Sequence, residues 1–323
     1  MRVGKRTEFN KTALAVAVAA FAGSAIAQPV LEEVIVTAEK RAENVQDIAA
    51  TVNVVSGQDL EKFQTFDFSA IQQQTAGLTL ASPNARNNII AMRGVSVDPE
   101  SGTSTAVDTY WNDAIVRPDL AFTQLYDLER IEILRGPQGT LQGRTSPAGA
   151  INIITKRANV DEAEGFVQLS GSDNNGLNTQ LAYGAPLIEG TLGVRIAGVY
   201  DQNNGPDIQN LTTGFDDQEY KTKSGRLSTV WHATDTFSAE LIYQYLDQNK
   251  DDPKAMSGVD QLGFRPTLDP QDGKALAATN DTADLDFDVV NLIMDWEIMD
   301  HVLTGIAAYN DSTKKAQTET DRA

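Results

Sequence analysis

Residues able to do bond-making chemistry are scarce in this 323-residue chain. There is no cysteine, which excludes disulfides, thiolate metal sites and cysteine nucleophiles. Only two histidines occur, His232 and His301, far apart and each inside a strand-like run. A glycine-rich loop follows Arg135, but Gly139 and Gly143 enclose three residues where a P-loop needs four, and Arg144 stands in the place of its lysine. It does not cradle a nucleotide. What remains are charges set into a hydrophobic run, Arg130, Glu132 and Arg135. If buried, each needs a partner, so their chemistry is ion pairing. With no nucleophile, metal set or acid–base pair, the chain is expected to be no enzyme and to hold no cofactor or metal.

The elements that carry these charges are legible. Ile131 and Ile133 share one face and Arg130, Glu132 and Leu134 the other, which predicts a half-buried strand ended by the turn chemistry of Gly136-Pro137-Gln138-Gly139. Ala150 to Thr155 is apolar enough to be covered on both faces. By pattern alone this is a strand–loop–strand of any mixed domain.

The residues narrow it. Leu128-Glu129-Arg130-Ile131-Glu132-Ile133-Leu134-Arg135-Gly136-Pro137-Gln138-Gly139-Thr140-Leu141, with Gly143-Arg144 and Gly149-Ala150-Ile151-Asn152-Ile153 behind it, resembles the plug of TonB-dependent outer-membrane receptors. Gln142 departs from the family's usual aromatic and Thr145 from its frequent Asn; both lie in the loop. The resemblance makes Arg93, Gly94, Arg130, Glu132, Arg135, Gly136, Pro137, Gly139, Gly143 and Arg144 a structural motif. It also implies that Arg93, Arg130, Glu132 and Arg135 pair with one another or with a barrel wall.

The N-terminus supplies the compartment. Arg2, Lys5, Arg6 and Lys11 precede the apolar run Ala13 to Gly23, which Ala25-Ile26-Ala27 closes with small residues. This reads as a signal peptide over residues 1–27, too short to span a membrane as a helix. No other run approaches spanning length, so membrane insertion would be by strands. The formal net charge is −19, and removing 1–27 leaves 22 basic against 44 acidic residues. Such an acidic balance argues against nucleic acid as a partner.

Residues 28–40 are expected to form a periplasmic segment. Leu31 to Ala38 has high β-propensity and could add a strand to a partner's sheet edge, or could be an edge strand of the next domain. Glu33-Val34-Ile35-Val36-Thr37-Ala38 resembles a TonB box, which implies TonB and its inner-membrane energising complex as partners. The plug itself is expected over 41–158, as an α+β domain. Its predicted elements are a strand at 51–55, a helix capped by Ser56 at 58–63, a helical piece at 68–74, and strands at 77–80, 88–95 and 110–116. Residues 98–109 read as a flexible polar loop and a ligand-contact candidate; specific ligand contacts are not assigned.

Past residue 160 the text changes to long alternating segments, read as strands at 164–172, 177–185, 190–201, 219–232, 236–247, 284–298 and 301–312. Phe237, Ala239, Leu241, Tyr243 and Tyr245 oppose Ser238, Glu240 and Gln244. Alternation over ten or more residues is what a transmembrane β-strand needs, whereas soluble strands usually stop near five or six. Short connectors at 186–189, 233–235 and 299–300 alternate with longer ones at 173–176, 202–218 and 248–283. Short periplasmic turns and long outer loops are the outer-membrane barrel arrangement. Asp201, Asp207, Asp216, Asp217, Asp251, Asp252 and Asp260 would then lie in acidic loops facing outward.

Residues 159–323 are therefore expected to be part of an antiparallel transmembrane barrel. Seven strands do not close one, since a plugged transporter has about 22. The chain accordingly reads as the N-terminal part of a longer receptor. The resemblance implies outer-membrane uptake of a scarce solute, most commonly an iron–siderophore complex, with outer-membrane lipid around the barrel. The alternatives are a truncated plug that only binds TonB, or a receptor for a carbohydrate, cobalamin or another metal chelate.

Overall fold

The computed structural model describes residues 35–36, 43–44, 51–82, 88–97, 105–117, 123–138, 146–172, 175–205, 208–212, 214, 218–252, 274–275 and 281–317. Two short strands come first, β1 (Ile35–Val36) and β2 (Glu43–Asn44), paired antiparallel. β3 (Thr51–Ser56) runs directly into helix α1 (Gly57–Lys62), because Ser56 Oγ accepts from the Asp59 amide at 3.1 Å and so caps a free N–H. Asp67 caps the 3₁₀ helix Phe68–Gln73 in the same way, accepting from the Ser69 amide at 2.7 Å.

β4 (Leu78–Ala81) and β5 (Ile89–Met92) form a separate antiparallel pair. β6 (Val107–Trp111), β7 (Ala114–Val116), β8 (Leu128–Arg135) and β9 (Gly149–Thr155) join β3 in a sheet of order β3-β8-β9-β6-β7. β6 lies parallel to β9, and the other neighbours are antiparallel.

The expected half-buried strand at β8 is corrected: Ile131, Glu132, Ile133 and Leu134 are all buried. Ile131 and Ile133 enter a core with Phe68, Ile71, Met92, Ile151 and Ile153, while Leu134 packs with Val36, Tyr110 and Ala150. The sheet is thus covered on both faces. The alternation that suggested one wet face came from a buried carboxylate, Glu132.

Two other expected strands are broken. The 110–116 segment is a hairpin, because Asn112 and Asp113 both take left-handed backbone (φ 48° and 64°), which these side chains tolerate in a two-residue turn. The 88–95 strand ends at Met92, where Arg93 (φ 53°) and Gly94 (φ 77°) turn the chain back. The polar loop is shorter than expected, since 107–109 belongs to β6; residues 98–104 lie outside the described residues.

Seven long strands follow: β10 (Glu164–Ser172), β11 (Gly176–Ile188), β12 (Leu192–Asn203), then, past the short β13 (Gln209–Asn210), β14 (Tyr220–Thr234) and β15 (Phe237–Asp252), and, past β16 (Lys274–Ala275), β17 (Asp281–Ile298) and β18 (His301–Gln317). They form one antiparallel sheet in chain order, while β13 and β16 pair in parallel between two of the long connections. The strands run past the expected ends by a few residues. The turn expected at 186–189 falls instead at 189–191, after a bulge between Pro186 and Ile188. The 173–176 connector, expected on the long-loop side, spans only three residues between β10 and β11.

Alternation decides which face meets the plug. On β14, Thr222, Ser224, Arg226 and Ser228 are buried, while Leu227 and Trp231 are exposed on the other face; on β15, Ile242, Gln244 and Leu246 are buried opposite exposed Leu241, Tyr243 and Tyr245. Phe237 to Tyr245 spans eight residue steps, about 27 Å of strand, or about 21 Å of height at a tilt near 40°. That suits an apolar band about 25 Å tall. Trp231 and Trp296 lie toward the short-turn end of this face, and Tyr243, Tyr245 and Tyr309 toward the other. Asp201, expected in an outer loop, sits on β12 and is buried, held by Asn178 Nδ2 at 2.7 Å and Gln124 Nε2 at 3.0 Å. Asp251 and Asp252 end β15, and Asp207, Asp216, Asp217 and Asp260 lie outside the described residues. The seven strands leave β10 and β18 as open edges, so the sheet is not a closed barrel.

Candidate functional site: the plug–wall seam and the N-terminal strand

The charges singled out in β8 are only partly brought together. Arg130 Nε donates to Glu132 Oε1 at 2.8 Å, and Arg130 also pairs with Glu129. Glu132 is fully buried, so this bond stabilises a carboxylate that would otherwise be costly inside the sheet. Arg135 does not join them: its Nε is buried and has no hydrogen-bond partner among the described residues. Arg93 stands exposed on its turn, its backbone N–H donating to Gly77 O at 2.8 Å, and no carboxylate pairs with it among the described residues. Gly136 takes φ 110° and Pro137 follows it, ending β8. Gly139, Gly143 and Arg144 lie outside the described residues.

The strongest electrostatic contact is one that sequence reasoning missed. Asp127, just before β8 and in left-handed backbone (φ 49°), is buried between two wall arginines. Arg195 of β12 meets it bidentately, Nη2 to Oδ1 at 2.5 Å and Nε to Oδ2 at 2.9 Å. Arg226 of β14 donates through Nη2 to Asp127 Oδ2 at 2.9 Å and to the Asp127 carbonyl at 2.7 Å. Arg195 Nη1 reaches Glu164 Oε1 at 2.9 Å. Gly184, opposite Arg195 in the register, leaves room for it, since a Cβ there would lie 3.2 Å from Nη1.

Tyr126 completes the cluster. Its hydroxyl and Ser224 Oγ are 2.8 Å apart, and the Arg226 guanidinium lies 4.8 Å from its ring centre. Burial raises the Tyr126 pKa above its ordinary value of 10.0, against a smaller lowering by Arg226. Beside it, Gln180 Nε2 donates to the Leu125 carbonyl at 3.3 Å, and Arg157, just past β9, pairs with Glu240 of β15 at 3.2 Å. The only sequence signal was an Arg inside each of two alternating strands, on the face that should line a lumen.

A second part of the seam is looser. Asn291 Nδ2 of β17 donates to the Trp111 carbonyl at 2.8 Å, yet Trp111 Nε1, Asn291 Oδ1 and Gln244 Nε2 are buried without hydrogen-bond partners among the described residues. The apolar part of this contact is Leu246, Leu285, Phe287 and Val289 packed into the plug core.

Of the segment resembling a TonB box, Ile35 and Val36 are described; Glu33, Val34, Thr37 and Ala38 are not. These two residues are docked. Ile35 pairs with Asn44 and Val36 with Glu43, and Val36 is fully buried against Tyr110, Leu134 and Ala150, with Val52, Val54 and Ile115 around them. No group of three or more His, Cys, Asp or Glu side chains suited to a metal occurs among the described residues, and no helix there is long and apolar enough to cross a membrane.

Residues 44–150 match the family model for the TonB-dependent receptor plug domain. The chain is 27% identical to a probable TonB-dependent siderophore receptor, PirA, from Acinetobacter baumannii, over 65% of this chain and 30% of that protein. It is 27% identical to the pesticin receptor of Yersinia pestis, over 57% of this chain and 27% of that one. It thus spans about a third or less of the length of these relatives. Among solved structures it resembles the ferric yersiniabactin uptake receptor FyuA from Yersinia pestis, with a TM-score of 0.71 over 83% of this chain and 41% of that one at 20% identity. A Pseudomonas aeruginosa FpvA–pyoverdine complex gives the same score over 85% of this chain and 35% of that one at 16% identity, a likeness of fold. A plug sequence that matches on its own and a plug seated on a strip of long antiparallel strands agree: residues 44–150 are a TonB-dependent receptor plug domain, and the seven long strands that follow have the fold of part of the barrel wall in such receptors.

Proposed function

We propose that this chain works as part of an outer-membrane receptor that takes up a scarce solute from outside, an iron–siderophore complex in the first instance. Its N-terminal segment 33–38 is the handle on which TonB, driven by its inner-membrane complex, pulls. Residues 1–27 are a cleaved signal peptide, 28–40 the periplasmic segment, 41–158 the plug, and 159–323 wall strands with their short turns in the periplasm and their apolar face in lipid. The observation that carries this reading is the plug seated on the wall through Asp127 and Tyr126, together with a two-residue strand, Ile35–Val36, that is held by backbone pairing to Glu43–Asn44 alone among the described residues. A plug that fills a barrel must be moved before anything passes, and an extended segment that pairs by strand addition is a way to apply force to it. A relative named as a probable siderophore receptor supports the solute class.

The test is uptake of ⁵⁵Fe by cells lacking their own iron receptors and expressing the full-length gene. Ferrichrome, ferric yersiniabactin and a ferric catecholate are supplied in turn. TonB-dependent accumulation from one of them supports the reading. Cobalamin is assayed alongside because a vitamin B12 transporter from Vibrio vulnificus is 24% identical over 67% of this chain; uptake of cobalamin alone would replace the iron assignment. Failure of the full-length protein to reach the outer membrane would overturn the transport reading.

A further inference from the structure

Two long connections on one side of the wall are tied together. The stretch between β12 and β14 holds β13, and the stretch between β15 and β17 holds β16. The two short strands pair in parallel, Gln209 with Lys274 and Asn210 with Ala275. Since the wall runs β12-β14-β15-β17, this join reaches from one side of the β14–β15 hairpin to the other, at the end opposite its short turn. Connections of such length ordinarily run over a surface, solvated and variable.

A two-residue pairing holds best when one strand is ordered beforehand, because every residue fixed costs backbone entropy. The first connection meets that condition. Asn210 is wholly buried; its Oδ1 accepts from the Thr212 amide at 3.0 Å and its carbonyl from the Gly214 amide at 2.8 Å, which turns the chain back directly after β13. Gln218, also buried, donates through Nε2 to the Ile208 carbonyl at 2.7 Å and so closes the loop across β13. Asn203 Oδ1 holds the Gly205 amide at 2.9 Å, and Gly205 (φ 62°) lies against Tyr220, whose ring a Cβ would approach to 3.1 Å. The Asp251 amide donates to the Glu219 carbonyl at 3.1 Å and ties the base of this loop to the end of β15. β13 is thus offered to β16 as a preformed edge. We propose that the connections 204–219 and 253–280 stay fastened to one another at β13 and β16 and serve as one fixed stretch of the outer rim, formed before any solute arrives. This rests on the reading that the long connections face outward. A rim joined in this way does not swing to enclose a solute, so loop movement in uptake falls to other connections.

The experiment uses the full-length receptor in whole cells, with Gln209→Cys and Lys274→Cys introduced together into a stretch that has no cysteine of its own. Neighbouring strands lie about 4.8 Å apart, inside the Cα separation of about 4.4–6.8 Å that a disulfide spans. With a mild oxidant and no solute, this pair should close about ten-fold faster than Thr212→Cys with Lys274→Cys, whose first cysteine lies past the end of β13. Thiols left open to a maleimide after denaturation give the count. Equal rates for the two pairs, the mark of connections that wander past each other, would overturn the join. Hydrogen exchange of the unaltered receptor guards against a double variant that fails to assemble: the peptides holding 209–210 and 274–275 should exchange slowly, and free exchange at both would overturn the join as well. Closing the disulfide should leave ⁵⁵Fe uptake as it is in the reduced form, for whichever complex of the preceding assay the wild type accepts. A loss of about ten-fold on closing would mean that the join opens in the cycle, and would overturn its fixed role. A wild type that takes up none of the complexes removes the uptake reading, while cross-linking and exchange still decide the join.

Discussion

Asp127 Oδ1 and Arg195 Nη2 lie 2.5 Å apart with both side chains buried, one on the plug and one on the wall. Truncating the acid leaves two guanidinium groups in a dry seam, and removing one partner of a buried pair costs about 3–5 kcal/mol. Asp127→Ala should therefore make the plug of the membrane-embedded receptor sensitive to added protease, while Asp127→Asn should be milder. Plug fragments on a gel after limited digestion give the measurement; an Asp127→Ala plug as resistant as the wild type would contradict the contact.

Val36 is a docked residue of the N-terminal segment proposed as the handle. Val36→Thr keeps the branched side chain that favours an extended strand but places a hydroxyl in a buried cluster with Tyr110, Leu134 and Ala150, at about 1–3 kcal/mol. Its docking equilibrium should shift toward release by about five-fold or more, since about 1.4 kcal/mol is tenfold. Amide exchange at 35–36 should quicken, and the periplasmic domain of TonB should bind more tightly. Val34→Pro should do the opposite to TonB, because it removes a backbone donor from the added strand. Equal affinities for both variants and the wild type would remove 33–38 as the site of strand addition.

The Tyr126 hydroxyl is held neutral by burial, so its folded-state pKa lies above its unfolded value of 10.0. A group raised in this way contributes its stability fully below pH 10, and that contribution is lost as pH rises through the folded value. The seating of the plug should be flat from pH 7 to 9 and loosen above 10. Thermal melts of the receptor across that range check this, and Tyr126→Phe, which cannot ionise, should flatten the alkaline fall while lowering the plateau.

Gly57 opens α1 where the helix crosses β8, and a Cβ there would lie 2.2 Å from the Leu128 carbonyl oxygen. Backbone cannot swing aside as a side-chain tip can, so Gly57→Ala should destabilise the helix seat by about 1–3 kcal/mol. Cleavage by trypsin after Lys62, on α1, should accelerate. The neighbouring Gln58→Ala should leave the rate unchanged.

Leu241 points away from the plug, in the middle of the apolar face of β15. Leu241→Arg should cost about 2–4 kcal/mol if that face lies near the bilayer midplane, and much less if it meets water. Heat-modifiable gel mobility of the full-length receptor distinguishes the two. Normal folding of Leu241→Arg would contradict a lipid-facing role.

The sequence by itself determined the plug, the change at about residue 160 to long alternating strands, and the approximate span of all seven, because these rest on local rules. Side-chain period, turn chemistry and a glycine-rich motif are visible in neighbouring residues. Tertiary structure alone decided that Glu132 would be paired with Arg130 while Arg93 stayed on an exposed turn, that β8 would be buried on both faces, and that Asp201 would face inward. It also chose Asp127, which nothing in its own neighbourhood marks, as the meeting point of arginines 68 and 99 residues further on. A carboxylate's role depends on which charges the fold carries to it, and that is set by the register of β12 and β14 against the plug.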